Sequence, residues 1–93
     1  MSVYVDPIVQ YSNRRPFHNG SCHMFADNTD ELHEMAERIG MKRNWFQDKR
    51  NFPHYDLVPS KRKLAVANGA VEVSLREMVE RTRKPTPERV KED

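Results

Sequence analysis

Ninety-three residues leave room for one small domain and exclude an enzyme with separate cofactor and substrate lobes. With 37% hydrophobic and 32% charged residues and a mean hydropathy of -0.92, the chain lies near the polar edge of what folds alone, because a small domain buries a modest share of its surface. Sixteen Lys and Arg against fourteen Asp and Glu leave a net charge of +2, so the global basic field of a dedicated duplex-DNA binder is missing and any anion site must be local.

The single Cys22 excludes an internal disulfide. No apolar run approaches the about 18 residues of a membrane span or the apolar stretch of a signal peptide, so the expectation is a soluble, cytoplasmic protein without a membrane partner.

In chain order, Val3-Tyr4-Val5 reads as a short first strand closed by Asp6-Pro7. A long loop from Ile8 to about Ser21 carries the turn signals Asn13-Arg14-Arg15-Pro16 and Asn19-Gly20, and its length marks it as a ligand-contacting or a mobile segment. Cys22 to Ala26 reads as a second strand, with Cys22, Met24 and Ala26 on one face and His23 and Phe25 on the other. Asn28 with Glu31 gives the capping-box spacing for a first helix, whose inner stripe is Leu32, Met35, Ala36 and Ile39 and whose stop is Gly40.

Lys42 to Asp56 shows no clear period; Trp45 and Phe46 are expected to plug the core there, and Pro53 and Pro59 to interrupt any helix. Ser60 is the expected N-cap of a second helix to Asn68, with Leu64 and Ala67 inward and Gly69 ending it. Val71–Val73 is a third strand. Ser74 with Glu77 caps a third helix, with Leu75, Met78, Val79 and Thr82 facing in. The predicted fold is thus one α/β domain over residues 1–83, in the order β-loop-β-α-α-β-α: a three-stranded, largely parallel sheet with three helices. The tail 84–93, with two prolines, many charges and one apolar residue, is expected to be disordered.

Tyr4-Val5-Asp6-Pro7, Cys22-His23-Met24-Phe25-Ala26-Asp27, Trp45-Phe46-Gln47, His54-Tyr55-Asp56-Leu57 and Ser60-Lys61-Arg62 follow one another in a specific order. Over residues 1–83 this series resembles a small uncharacterised family of bacterial and phage proteins catalogued only as a domain of unknown function. The resemblance transfers no activity. It implies a small accessory protein of phage type.

Two constellations carry candidate chemistry. The first is His54, Tyr55 and Asp56 with Ser60, Lys61 and Arg62: a capped helix start with two cations would bind phosphate, with Tyr55 stacking on a base and His23 nearby. It suggests binding of a phosphate-bearing ligand, either a nucleotide or a nucleic-acid end; the alternative is a solvated helix face. The second is Asp6, Asp27 and Asp56 as ligands for Mg²⁺ or Mn²⁺, with His23 or His54 moving a proton, as in a divalent-metal phosphoesterase or nuclease. Against it, Asp27 and Asp6 suit a helix cap and a turn. Cys22 and His23, adjacent on a strand, point to opposite faces and cannot form a nucleophile–base pair. A third reading is a host-protein-binding module around Trp45 and Phe46. Short strands with exposed edges further suggest a homodimer covering Trp45, Phe46 and Phe52.

Overall fold

The structure, a computed structural model, describes residues 2–11, 13–49 and 52–82; the tail expected to be disordered lies outside the described residues. The expected alternation of strands and helices is present, but the sheet is not three-stranded and not largely parallel. It has five strands in the order β3-β4-β2-β1-β5: β1 Val3–Val5, β2 Cys22–Ala26, β3 Gln47–Lys49, β4 Phe52–Leu57 and β5 Val71–Glu72. Pairs β1–β2, β2–β4 and β3–β4 are antiparallel, and β1–β5 is parallel.

The two added strands form the β3–β4 hairpin, inside the segment that shows no period. Its charged residues and Pro53 mask it. Pro53 is tolerated because the β2–β4 register ends at Met24↔Tyr55, so Pro53 faces only Asp48 of β3 and no ladder on its other side loses a donor. The hairpin also corrects the parallel-sheet expectation. Helices α1 (Thr29–Arg38) and α2 (Pro59–Ala67) each join strands that run in the same direction, β2 to β3 and β4 to β5, as crossovers do. Those strands are not neighbours, because β4 lies between the first pair and β2 and β1 between the second.

Helix α1 starts as its capping residues dictate: Asn28 Oδ1 accepts from the Glu31 N–H at 2.9 Å. At its other end Gly40 takes φ +83°, and the Lys61 ammonium donates to the Ile39 carbonyl at 2.7 Å, placing a cation on the negative end of the helix. Helix α2 begins two residues earlier than expected. Pro59, with its fixed φ, occupies the first turn, and Val58 is the cap, so Ser60 is an exposed helical residue and not an N-cap. Ala65 is its buried residue, whereas Leu64 and Ala67 are exposed. Helix α3 (Leu75–Thr82) is capped by Ser74, whose Oγ accepts from the Glu77 N–H at 3.0 Å. Met78 packs inward, but Leu75 and Val79 stay more than 40% exposed.

Strand alternation sends each side chain to one of two unlike faces. On the first, Val3, Val5, Cys22, Met24, Tyr55 and Leu57 meet Leu32, Met35, Ala36 and Ile39 of α1 and Ala65 of α2 in the main core. On the second, Tyr4, Phe25 and Val73 form a small cluster with Phe52 and Met78. Arg81 of α3 lies over the Tyr4 ring, its Cζ 4.5 Å from the centroid. Among the described residues no helix is long and apolar enough to cross a membrane.

Candidate metal centre

The strand directions decide which chain ends meet. The carboxyl ends of β1, β4 and β5 lie along one edge of the sheet with the amino ends of β2 and β3. Asp6, directly after β1, therefore lies beside His23, near the start of β2: its N–H donates to the His23 carbonyl at 3.2 Å. His23 in turn is paired in register with Asp56 of β4. His54, two residues before Asp56 on the same strand, shares its face. Three neighbouring strands thus line up Asp6, His23, Asp56 and His54 on the second face of the sheet. One ligand atom from each of His23, His54 and Asp56 falls within 4.8 Å of the other two.

Hydrogen bonding fixes how the imidazoles present themselves. Asp6 is fully buried, with Oδ1 accepting from the His23 N–H at 2.7 Å and Oδ2 lying 2.8 Å from His23 Nδ1. A carboxylate only accepts, so Nδ1 carries the proton and a neutral His23 keeps its lone pair on Nε2. His54 obeys the same logic, because its Nδ1 lies 2.8 Å from the Phe52 carbonyl oxygen. His54 Nε2 then faces Asp56 Oδ1 at 3.4 Å. Gln47 of β3 donates to the other oxygen, Asp56 Oδ2, at 2.6 Å. These outer contacts are the kind that orient metal-binding imidazoles and carboxylates.

A lone pair and a carboxylate oxygen facing each other at 3.4 Å need a positive charge between them, either a proton or a metal ion. Two atoms each about 2.1 Å from a tetrahedral ion are about 3.4 Å apart, which is the separation found. In the protonated case the hydrogen bond from His54 holds the Asp56 carboxyl below its usual range, aided by Gln47 and opposed by burial. The hydrogen bond to Asp6 raises the His23 pKa, against the effect of burial. Tyr11, from the long loop, lies with its ring centroid 5.7 Å from that of His23, and burial first, then Asp6, raises its pKa.

The expected site residues divide between this centre and other duties. Asp6 is buried behind His23 as its hydrogen-bond partner. Asp27 lies at the opposite end of the β1–β2 pair, where it accepts from the Ser2 N–H at 2.8 Å and the Tyr4 hydroxyl at 3.0 Å. The expected trio Asp6, Asp27 and Asp56 therefore does not assemble: β1 and β2 run antiparallel, so the residues that close them are at opposite ends of the sheet. Of the three, Asp56 alone joins the cluster, and the two imidazoles supply the remaining donors.

The expected phosphate cradle is dispersed as well. Tyr55 points to the opposite face, fully buried, with its hydroxyl 2.8 Å from His33 Nδ1, so it cannot stack on a base. Arg62 donates from Nε to the Asp6 carbonyl at 2.9 Å and from Nη1 to Glu72 at 3.1 Å, which ties α2 to the ends of β1 and β5. Ser60 is exposed, and Lys61 reaches Ile39. Cys22 is buried on the main-core face, and burial pushes its thiol up to about 12, consistent with a packing role. Nor do Trp45, Phe46 and Phe52 form one patch. Phe46 packs on His33 and Tyr55, Phe52 stacks on His54 with centroids 4.5 Å apart, and Trp45 is 46% exposed. Gln47, absent from the sequence-based expectation, becomes visible once the Phe52–Leu57 alternation is read as a strand that needs a partner.

Neither the curated proteins nor the solved structures contain a match to this chain. Residues 3–85 match the family described as Protein of unknown function (DUF4031), and the chain belongs to that family.

Proposed function

We propose that the protein is a divalent-metal-dependent phosphoesterase whose ion is held by His23, His54 and Asp56. The observation that carries this reading is the 3.4 Å approach of His54 Nε2 to Asp56 Oδ1, with His23 in the same cluster. Two imidazoles and one carboxylate suit Zn²⁺ or Mn²⁺ better than Mg²⁺, which prefers oxygen ligands throughout. With only three protein donors, positions remain open for water and substrate.

Bound there, the ion would supply a Lewis acid for a phosphoryl oxygen and lower the pKa of water. Asp6 holds His23 in the tautomer that leaves Nε2 free, and Gln47 holds Asp56 in place. Tyr11, its pKa raised, stays protonated near neutral pH, and its ring centroid lies 5.7 Å from that of His23. Cys22 is on the other face and takes no part.

The test is hydrolysis of 4-nitrophenyl phosphate and bis(4-nitrophenyl) phosphate by chelator-stripped protein with and without added Zn²⁺ or Mn²⁺. Turnover that requires the metal and is lost in Asp56→Asn supports the reading. Turnover that persists in chelator, or its absence with both metals, overturns it.

A further inference from the structure

A cavity of about 640 Å³ shares Asp56 with the metal cluster and is also lined by Gln47, the hydrogen-bond partner of Asp56. Its volume lies in the range of small-ligand sites. Its lining includes Phe17 of the long loop, Asn44 and Trp45 of the 3₁₀ turn Arg43–Trp45 that follows α1, and Lys61 of α2. Trp45 is the chain's single tryptophan, and its exposure here is what its apolar bulk does not explain. Lys61 is fixed by the Ile39 carbonyl, and an ammonium has two further protons to donate. Gln47 uses one amide proton on Asp56, leaving its Oε1 and a second N–H.

Resting on the metal-centre reading, we infer that this cavity takes the base of a free nucleotide, stacked against Trp45, while the phosphate of that nucleotide reaches the His23, His54 and Asp56 cluster. The chemistry on each wall matches one part of that ligand. Aromatic faces stack on any base. The side-chain amides of Asn44 and Gln47 offer the paired donor and acceptor that reads a base edge. Lys61 adds positive charge for an anionic ligand. A bare phosphate or an aliphatic phosphate ester would leave the aromatic walls unused.

The experiment follows Trp45 fluorescence and calorimetric binding in Zn²⁺-loaded protein titrated with adenosine 5′-monophosphate, guanosine 5′-monophosphate, ribose 5-phosphate and a short single-stranded oligonucleotide. The expected result is saturable binding of at least one mononucleotide, with ribose 5-phosphate at least tenfold weaker. Trp45→Ala should cost the mononucleotide about tenfold, a typical stacking loss, and Asn44→Ala a smaller factor, both with Zn²⁺ affinity unchanged. Equal binding of ribose 5-phosphate, or no mononucleotide binding while Zn²⁺ still binds, overturns the inference and leaves the metal centre standing. Mononucleotide binding sensitive to Trp45→Ala in protein that takes up no Zn²⁺ supports the base site and removes the metal reading instead. An oligonucleotide binding more than tenfold tighter than any mononucleotide overturns the choice of a free nucleotide.

Discussion

Two histidines on opposite faces of one sheet are each hydrogen-bonded through Nδ1, yet they do unlike things. On the main-core face, His33 of α1 meets the neutral Tyr55 hydroxyl at 2.8 Å. Its pKa is lowered, by burial first and by Arg43 second. On the other face, His23 meets the buried Asp6 carboxylate, also at 2.8 Å, and its pKa is raised. A hydroxyl partner joins a helix to a strand. A carboxylate partner, beside a second imidazole and a second carboxylate, is the basis of the cation site proposed above. The contrast runs through three consecutive residues of β4, because alternation sends His54 and Asp56 to the cluster and Tyr55 to the core.

Removing a donor from each face in turn should separate the two faces most strongly. His23→Ala or His54→Ala should lower Zn²⁺ affinity more than a hundredfold by calorimetry, whereas Tyr55→Phe should leave it within about twofold. Equal losses would show that the two faces are not functionally distinct. Next in size is Asp6→Asn, which keeps the shape but weakens the orientation of His23. Loss of such an outer partner costs about 10–100-fold in metal affinity, so an unchanged isotherm would remove Asp6 from the account.

On the other face Tyr55→Phe should cost about 1 kcal/mol of unfolding free energy in urea titrations, the usual worth of one hydrogen bond. His33 gives the smallest effect, and its sign is defined. Its folded-state pKa lies below the unfolded value near 6.5, so the stability it contributes is complete above pH 6.5 and is lost as pH falls through the depressed pKa. The stability difference between the native protein and His33→Gln should therefore shrink from pH 7 to pH 5. A difference that grows over that range would contradict the assignment.

The sequence is most legible where the signal is local. Asn28, Glu31 and Gly40 define α1 because cap and stop act within a few residues, and Ser74 with Glu77 does the same for α3. Cys22 to Ala26 is legible as a strand because both faces carry apolar groups. The β3–β4 hairpin is not, because Gln47-Asp48-Lys49 is a polar edge strand and Pro53 argues against any strand. That hairpin carries His54 and Asp56, two of the three proposed ligands. Without β4 placed next to β2, His54 and Asp56 read as part of the following helix start, and the strand ends of Asp6 and Asp27 seem to converge. The candidate residues His23, His54, Asp56 and Asp6 are recognisable by type, but their grouping depends on register, a long-range property that residue spacing does not encode.

Anomalous diffraction from crystals grown with one equivalent of Zn²⁺ would locate the ion itself. The expected result is one peak per chain, bonded to His54 Nε2, Asp56 Oδ1 and an imidazole nitrogen of His23, with Asp6 still hydrogen-bonded to the His23 ring. No peak at this cluster, or a fully occupied ion elsewhere with His54 still hydrogen-bonded to Asp56, would contradict it.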